Sequence, residues 1–304
     1  MAGVLDSVNQ RTQLVGQNRL ELLLFRLNGR QRFGINVFKV KEVLQCPKLT
    51  VLPQRNAVIK GVANIRGKTI SIIDISKAMG GQPVEQTENS FVIISEYNRS
   101  VQGFLVGSVD RIVNMNWEAI LPPPIGTGRS NYMTAVTEID GELVEILDVE
   151  KILDEIAPRN VIVKQELVDE VSHLMTAEQK PILIADDSSV ARRQIQKTME
   201  TLGLECIVVE NGKLALNKLR ELAALGPILE QLSMVISDVE MPEMDGYTLT
   251  SEIRSNPALK DLHVILHTSL SGVFNKALIE KVGADNFIAK FHPDELASAV
   301  KAAL

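Results

Sequence analysis

The sequence of 304 residues predicts two domains of different fold class. The first is an all-β domain built from two related barrels, because short apolar or β-branched runs separated by Gly, Asn and Asp fill residues 20–150. The second is an α/β domain with a doubly wound parallel sheet, because an apolar strand followed by an amphipathic helix recurs five times from residue 181 onward. The predicted segments are an N-terminal tail at 1–16, the first domain at 17–157, a linker at 158–179 and the second domain at 180–304.

Composition and charge argue against several classes of function. The formal net charge is −6 and the isoelectric point is near 5.4, so the chain lacks the basic character that nucleic-acid binding requires. The chain has no run of about eighteen apolar residues and no basic segment leading into an apolar stretch near its start, so we expect a cytosolic protein. Cys46 and Cys206 fit no metal-binding pattern, and we expect both to be reduced, buried thiols.

The first half contains an internal repeat. Residues 62–79, VANIRGKTISIIDISKAM, align with residues 136–153, VTEIDGELVEILDVEKIL, at an offset of 74. Each copy has the pattern of a strand, a Gly turn, a second strand and a short helix, which predicts two related barrels. Asp74 and Asp148 occupy matching positions in the two copies. They are either a catalytic pair or the caps of the two helices, and capping explains both residues.

Three acidic residues follow predicted strands of the second half. Asp186 and Asp187 follow the first strand of this half, and Asp238 follows the third. The carboxyl ends of parallel strands line one crevice, so we expect the three carboxylates to converge there. Such a cluster repels itself unless a cation fills it, and oxygen ligands beside a phosphoryl group favour Mg²⁺.

This cluster predicts chemistry with a phosphoryl group. Asp238 is the predicted nucleophile, which attacks phosphorus in line from a donor phosphohistidine. Thr268 ends the fourth strand, where its hydroxyl can reach a phosphoryl oxygen, and Lys290 ends the fifth strand and supplies positive charge. The backbone carbonyl of Glu240 is the predicted third protein ligand of the metal, beside the carboxylates.

These residues carry a resemblance to a known family. The pair Asp186-Asp187, Asp238 with MPEMDG close behind it, Thr268 and Lys290 resemble the receiver domain of two-component response regulators. The resemblance covers about residues 180–304 and implies a flavodoxin-like fold of five βα units.

The resemblance also implies a switch and two departures from the family pattern. Phe287 matches the aromatic residue that changes rotamer as Thr268 moves toward the phosphoryl group, so these two residues are the predicted switch pair. Phe291 stands where the family has proline, and we expect a trans peptide bond and an altered loop there. The side chain of Glu240 is expected to face the site opening and to change the phosphoryl lifetime.

The first half resembles the CheW coupling domain, over about residues 17–157. The segments that carry this resemblance are FGINVFKVKEVL, VIKGVANIRGKTISIIDI and YMTAVTEIDGELVEILDVEKIL. It implies a double five-stranded barrel that binds chemoreceptors (methyl-accepting chemotaxis proteins) and the regulatory domain of the histidine kinase CheA. A coupling domain followed by a receiver resembles the CheV-type family. This resemblance implies CheW as a further candidate partner and an association with membrane-bound receptor arrays.

Candidate partner-binding residues lie in the coupling domain. Arg66 and Gly67 form a predicted hairpin tip, and Asp140 occupies the position of Arg66 in the second copy. Asp-Gly is expected from turn chemistry whereas Arg-Gly is not, so Arg66 is either a contact residue or a solvated turn residue. Three apolar residues are either interface or core residues: Ile35, Val37 and Val40.

The leading hypothesis is a non-enzymatic adaptor whose coupling is tuned by phosphorylation of Asp238. The alternative is a phosphate sink that drains phosphoryl groups from the kinase. An enzyme is not expected beyond self-phosphotransfer and autodephosphorylation, because the first half has no catalytic triad and no glycine-rich phosphate loop. The four histidines have no metal-binding spacing: His173, His263, His267 and His292.

Overall fold

The computed structural model of the chain forms two compact units, Arg19–Arg159 and Asn160 onward. The residues that the structure describes are 19–53, 56–85, 89–97, 100–123, 132–156, 162–174, 179–268, 282–290 and 292–304. The fourth of the five helices predicted for the second domain, near residues 275–283, lies largely outside them, and the Phe291 peptide bond also lies outside them.

The first unit contains two five-stranded sheets. The strands are β1 Arg19–Arg26, β2 Arg32–Asn36, β3 Glu42–Gln45, β4 Ile59–Ile65, β5 Lys68–Asp74, β6 Phe91–Tyr97, β7 Ser100–Val106, β8 Ser108–Asn116, β9 Met133–Ile139 and β10 Glu142–Leu147. The helices are α1 Ile75–Ala78 and α2 Val149–Ile156, with 3₁₀ turns at Val37–Lys39 and Trp117–Ala119.

The two sheets are interleaved along the chain. The first barrel has the strand order β8-β1-β2-β10-β9, and the second barrel has the order β3-β6-β7-β5-β4. In each sheet an ion pair links the tip of the edge hairpin, β9–β10 in the first barrel and β4–β5 in the second, to the strand at the opposite edge. Arg66 contacts Glu42 at 2.7 Å in the second barrel, and Asp140 contacts Arg111 at 2.6 Å in the first. These contacts bring the two edges of each sheet together, as the predicted barrels require.

The repeat is visible in the backbone. Arg66 and Asp140 both adopt positive φ angles, 50° and 56°, and each is followed by a glycine with φ near 75° to 78°. Both hairpins are therefore two-residue turns of the kind that matches the twist of the flanking strands. Asp74 donates its N–H to the carbonyl of Val58 at 2.9 Å, and Asp148 donates to Tyr132 at 2.6 Å, at the same offset of 74 residues.

Asp74 and Asp148 are helix caps. Lys77 donates its N–H to Asp74 Oδ1 at 3.0 Å, and Lys151 donates to Asp148 Oδ1 at 2.9 Å. Asp74 Oδ2 accepts a second bond, from the N–H of Val84 at 2.9 Å. The two carboxylates belong to different barrels, and the capping interpretation accounts for both of them.

The two caps differ in charge environment, which gives a first prediction. Burial, and then the neighbouring Glu150 carboxylate, raise the pKa of Asp148. The folded state therefore binds this proton more tightly than the unfolded chain, so this contribution to stability is lost as pH rises above about 3.9 and through the folded-state pKa. Asp148→Asn keeps the capping oxygen and is expected to raise the free energy of unfolding at neutral pH by about 0.5–1 kcal/mol.

Asp74→Asn is the matched comparison and has the opposite expected effect. The asparagine side chain has one acceptor oxygen for the N–H groups of Lys77 and Val84. Val84 therefore loses its partner, and the free energy of unfolding is expected to fall by about 1–2 kcal/mol. Fluorescence of Trp117, the single tryptophan, follows unfolding of this domain. Equal destabilisation by both substitutions would contradict the expected difference.

The second unit has a five-stranded parallel sheet with the order β12-β11-β13-β14-β15. Its strands are β11 Ile182–Ala185, β12 Cys206–Val209, β13 Met234–Ser237, β14 His263–Thr268 and β15 Asn286–Ala289. Its described helices are α3 Gln165–Leu174, α4 Ser189–Thr201, α5 Gly212–Leu225, α6 Ile228–Gln231, α7 Gly246–Ser255 and α8 Pro293–Ala303. Helix α3 lies within the predicted linker, yet it belongs to this unit.

Both faces of the parallel sheet are covered. Ile182 and Ile184 pack into one apolar cluster, and Leu183 and Ala185 pack into the other. The strands are therefore continuously apolar, as expected for a parallel sheet between two helical layers. Cys206 on β12 and Cys46 are both free but only half-buried, which corrects the expectation of buried thiols. Burial, followed by the nearby Glu200 carboxylate, raises the pKa of Cys206 to about 12.

Candidate functional site

The predicted carboxylates converge at the carboxyl edge of the parallel sheet. Asp186 and Asp187 directly follow β11, and Asp238 directly follows β13. The N–H of Asp238 donates to the carbonyl of Ala185 at 2.7 Å, which keeps the two strand ends side by side. Oxygen atoms of the three carboxylates lie within 4.8 Å of one another. The sequence prediction of a carboxylate cluster is thus matched by the geometry.

Backbone hydrogen bonds orient two of these carboxylates. Ser188 donates its N–H to Asp186 Oδ1 at 2.9 Å, and Val239 donates its N–H to Asp238 Oδ1 at 2.7 Å. Arg192 of α4 donates to the backbone carbonyls of Asp186 and Asp187 at 2.7 and 2.9 Å. The loop after β11 is therefore fixed from the helix that follows it.

Lys290 joins the cluster from the end of β15. Its Nζ lies 2.7 Å from Asp186 Oδ2 and 2.7 Å from Asp238 Oδ2, and its side chain is 1% exposed. The N–H of Lys290 donates to the carbonyl of Thr268 at 2.8 Å, so the ends of β14 and β15 stay in register. Thr268 is fully buried at the end of β14. Each of the strand-end residues predicted from sequence is therefore at this edge.

The charges of this cluster suit a divalent cation. Ionised, the three carboxylates of Asp186, Asp187 and Asp238 carry three negative charges, and Lys290 offsets one, which leaves two. All the side-chain ligands on offer are oxygen atoms, the type that Mg²⁺ prefers. This is the one cluster of acidic, His or Cys side chains with metal-binding spacing in the described part of the chain.

The loop after Asp238 is packed tightly against the site. Gly246 donates its N–H to the carbonyl of Val239 at 2.9 Å. A Cβ at position 246 would lie 2.1 Å from the backbone oxygen of Asp238. Asp245 caps α7 by accepting the N–H of Thr248 at 2.7 Å. The glycine therefore allows the loop to approach the acidic residue closely, and the cap starts the helix that holds the loop.

Gly246→Ala is accordingly expected to destabilise the second domain by about 3 kcal/mol, because the new methyl group meets rigid backbone. Thermal unfolding followed by far-ultraviolet circular dichroism should show this domain melting earlier, while the fluorescence transition of Trp117 stays in place. Gly226→Ala is the matched control, since a Cβ there meets nothing closer than 3.7 Å. An unchanged melting temperature for Gly246→Ala would show that the loop relaxes freely.

Tyr247 is a site neighbour that sequence reasoning missed. It is buried, and its hydroxyl has no hydrogen-bond partner among the described residues. Burial raises its pKa first, and the carboxylates of Glu240, Asp245 and Asp238 raise it further. Tyr247 therefore stays neutral beside the acidic cluster. The predicted role of the Glu240 carbonyl as a metal ligand stays a prediction.

The predicted switch residues lie on neighbouring strands. Thr268 pairs with Ala289, and Phe287 pairs with Leu266 in the parallel register of β14 and β15. Phe287 is half-buried and packs with the cluster that contains Leu266, whereas Ile288 faces the other cluster. Thr268 and Phe287 are thus positioned on adjacent strands near Lys290, and their coupled movement stays a prediction.

The histidines do not gather at this site. His267 is buried within β14, and His263 at the start of the same strand lies 3.9 Å from Asp285. His292 precedes α8, and His173 is exposed on α3. The group with metal-binding spacing in the described part of the chain contains aspartates and none of these histidines.

The partner-binding candidates of the first domain differ in exposure. The Arg66 side chain is 82% exposed and pairs with Glu42. Gly67 donates its N–H to Asn64 Oδ1 at 3.0 Å, which closes the hairpin tip. Val37 and Val40 are partly exposed. Ile35 is 1% exposed and belongs to the core, so the core interpretation replaces its candidate contact role.

The two hairpin tips are held differently. Asp140 accepts from Arg111 at 2.6 Å and from Arg32 at 3.1 Å, and these guanidinium groups lower its pKa. In the first barrel Gly34 pairs with Ile146, and Arg32 lies two residues before Gly34. In the second barrel Gly103 pairs with Ile72, and Val101 lies two residues before Gly103. Ile146 and Ile72 match in the repeat, so Val101 takes the place of Arg32 in the second barrel.

In the first barrel Arg32 holds the Asp140 tip. The second barrel has Val101 at the matching position and therefore lacks this contact to its own tip. Glu42 is the ion-pair partner that the described residues give Arg66. The tip that carries Arg66 is the more accessible of the two.

The described residues contain no helix that is both long and apolar enough to cross a membrane.

Two known families match the chain. Residues 21–157 match the CheW-like domain, and residues 182–301 match the response regulator receiver domain. The chain is 29% identical to the chemotaxis protein CheV1 of Helicobacter pylori over 322 residues, covering 99% of this chain and 98% of the relative. It is 29% identical to CheV3 of the same organism, covering 93% and 94%. It is 31% identical to the chemotaxis protein CheW of Klebsiella aerogenes, covering 50% of this chain and 91% of that relative.

Proposed function

Since this chain belongs to the CheV-type chemotaxis proteins, coupling adaptors that carry a phospho-accepting receiver, we propose that Asp238 is its phosphoryl acceptor. The donor is the phosphohistidine of the histidine kinase CheA, and the acceptor state tunes how the CheW-like domain couples chemoreceptors to that kinase. One observation carries the assignment of the acceptor. Lys290 Nζ contacts both Asp186 and Asp238 at 2.7 Å, within a cluster of three carboxylates at the sheet edge.

The transfer step uses Asp238 as nucleophile. One carboxylate oxygen of Asp238 forms a bond to phosphorus while the bond from phosphorus to the histidine nitrogen of the donor breaks, and that nitrogen keeps the electron pair. The buried Lys290 ammonium moves from carboxylate to phosphoryl oxygen, where it offsets the added charge. The Thr268 hydroxyl donates to another phosphoryl oxygen. Both groups already lie at this edge, so little reorganisation is required.

A magnesium ion is proposed as the cofactor. The carboxylates of Asp186, Asp187 and Asp238 and the backbone carbonyl of Glu240 would hold it. When bound, it neutralises charge on the phosphoryl oxygens. Asp187 is half-buried whereas Asp186 and Asp238 are buried, so Asp187 would be the most solvent-accessible of the three carboxylate ligands.

Coupling is proposed to use the exposed tip of the second barrel. Arg66, Gly67 and the partly exposed Val37 and Val40 are the proposed contacts with the kinase regulatory domain, with chemoreceptors or with CheW. A guanidinium group is suited to paired hydrogen bonds with a partner carboxylate. The protein is accordingly proposed to act in the cytoplasm at membrane-bound receptor arrays, without catalysing turnover other than that of its own phosphoryl group.

Arg66→Asn separates binding from stability at this tip. Asparagine tolerates the positive φ of the turn better than arginine does, so the domain is expected to be as stable as before or more stable. Affinity for the kinase regulatory domain is nevertheless expected to fall about tenfold, close to 1.4 kcal/mol. Arg30→Asn, at an exposed turn of the same domain, is the control and should leave affinity unchanged. Unaltered binding by Arg66→Asn would remove Arg66 from the interface.

The phosphate-sink alternative is not favoured, because the CheV relatives match along nearly the whole chain and the coupling domain makes up half of it. A titration of the full-length protein against the kinase regulatory domain tests the adaptor proposal. Magnesium with beryllofluoride serves as the mimic of the phosphoryl group at Asp238. A shift in affinity of about threefold or more is expected, which equals about 0.6 kcal/mol of coupling. Tight binding whose affinity is the same with and without the mimic would contradict regulation by the receiver.

A further inference from the structure

The segment between the two domains packs against the receiver. Val171 of α3 is fully buried and Val163 just before the helix is 7% exposed, and both belong to the apolar cluster that includes Ile288 and Val300. Leu167, which faces the same way, is partly buried against this cluster. The three side chains follow one another at intervals of four residues, so they form a single apolar stripe on one face. Burial of this stripe, at roughly 1.5–3 kcal/mol for each fully buried side chain, holds the helix in place.

Polar contacts to α8 mark both ends of the docked segment. Lys164 donates its N–H to Asp294 Oδ1 at 3.0 Å, which caps the start of α3 with a side chain from another helix. Lys301 contacts Glu170 at 2.7 Å near the other end. Surface ion pairs of this kind contribute about 0–1 kcal/mol, so they set the alignment of α3 more than its affinity.

The surface beneath α3 is connected to the acidic cluster through one short stretch of chain. Ile288 lies in the cluster that receives Val171, and Lys290, two residues later, contacts Asp186 and Asp238. Asp294, the cap of α3, follows four residues after Lys290. Lys290 therefore lies within four residues of an apolar contact and of a polar contact of α3.

The contact between α3 and the receiver is incompletely filled. A groove of about 670 Å³ runs between α3, α8 and the edge strand β15. Leu167 and Glu170 line it from α3, and Phe287, the predicted switch residue, lines it from β15. Close packing resists movement, whereas a helix beside a groove has fewer contacts to lose when it leaves.

We propose that residues 162–174 form a latch that docks on the receiver while Asp238 is unmodified and is released when Asp238 carries a phosphoryl group. This inference rests on the proposed phosphorylation of Asp238. The phosphoryl group draws the Lys290 ammonium away from the two carboxylates, which shifts the end of β15 and the start of α8. Docked, the latch leaves five residues, 157–161, between α2 and the receiver; released, it leaves 25, 157–181. At about 3.3–3.6 Å per residue the maximum reach of the connection grows about fivefold.

Hydrogen–deuterium exchange on the full-length protein tests the latch. Magnesium alone is compared with magnesium plus beryllofluoride. Amides of residues 238–246 report occupancy at Asp238, and amides of residues 167–174 report docking of α3. We expect slower exchange in the first segment together with at least about threefold faster exchange in α3. Slower exchange near Asp238 with no change in α3 overturns the latch alone, and no change near Asp238 overturns the proposed acceptor and the latch together.

A matched pair of substitutions tests the coupling from the opposite side. Val171→Asp places a charge in the buried stripe, and Ser172→Asp places the same charge on the exposed face of the next residue. Because linkage is reciprocal, Val171→Asp is expected to speed exchange of α3 before any mimic is added and to raise the affinity for beryllofluoride about threefold or more. Ser172→Asp should change neither.

Slow exchange of β11 amides verifies that the receiver of the Val171→Asp variant is folded. Leu167→Ala supplies a milder test of the same contact if that variant is not folded. Fast exchange of α3 in a folded variant whose beryllofluoride affinity equals that of the unaltered protein would overturn the coupling.

Discussion

Asp238→Asn is expected to abolish phosphoryl uptake from the kinase, with a loss of at least about a hundredfold. The amide of asparagine is not a nucleophile, and it removes one negative charge from the cluster that would hold the metal. Lys290 keeps its contact with Asp186, so the receiver is expected to stay folded. Transfer of labelled phosphate from the phosphorylated kinase to the full-length protein measures the effect.

Asp261→Asn is the control for this substitution, because Asp261 is an exposed aspartate just before the amino end of β14, at the opposite end of the strand from Thr268. It should take up phosphate as the unaltered protein does. The kinase titration adds a second measurement, since Asp238→Asn should also remove the response of kinase affinity to beryllofluoride. Stoichiometric labelling of Asp238→Asn would show that another residue accepts the phosphoryl group.

The acidic site was predictable because strand order fixes it. In a parallel sheet, residues that directly follow adjacent strands meet at one edge whatever the helices between them do. Asp186 and Asp238 therefore had to be neighbours once β11 and β13 paired, and Lys290 follows from β15. Tyr247 could not be found in this way, because its proximity to the cluster depends on how the loop through Gly246 packs on Asp238.

The interleaving of the two barrels could not be predicted from the repeat. The matching copies cover β4–β5 and β9–β10, and each hairpin is local in sequence. Strand β3 follows the β1–β2 hairpin of the first barrel in sequence but pairs with β6 in the second barrel. Strand β8 follows β7 of the second barrel but pairs with β1 in the first. An alternation of period two states which face of a strand is buried but not which distant strand it joins.

The role of Ile35 and the docking of α3 show the same limit at the scale of single side chains. Ile35 and Val37 are two residues apart in sequence, yet one is in the core and the other is partly exposed, because β2 ends at Asn36 and a 3₁₀ turn follows. The stripe of Val163, Leu167 and Val171 predicts an apolar helix face but not the surface that covers it. That surface is α8, more than a hundred residues later.

Lys290→Met is expected to destabilise the receiver by about 3 kcal/mol in the absence of magnesium. The Lys290 side chain is 1% exposed, and its Nζ lies 2.7 Å from carboxylates of Asp186 and Asp238 that are themselves buried. Methionine fills similar space but leaves these negative charges without their cation, and removal of one partner from a buried ion pair costs about 3–5 kcal/mol. Thermal unfolding of the full-length protein, followed by far-ultraviolet circular dichroism, measures the loss.

Magnesium makes this prediction specific to the site. An ion that binds the folded carboxylate cluster stabilises it by an amount that grows with concentration over its dissociation constant. Magnesium should therefore recover part of the stability that Lys290→Met loses, although phosphoryl uptake stays low because the ammonium is missing. Lys218→Met, which breaks an exposed pair with Glu221, should cost at most about 1 kcal/mol and gain nothing further from magnesium than the unaltered protein does. An equal melting temperature for Lys290→Met and the unaltered protein in magnesium-free buffer would show that Lys290 is not the cation that holds Asp186 and Asp238 together. The proposed movement of Lys290 to the phosphoryl group would then lose its structural basis.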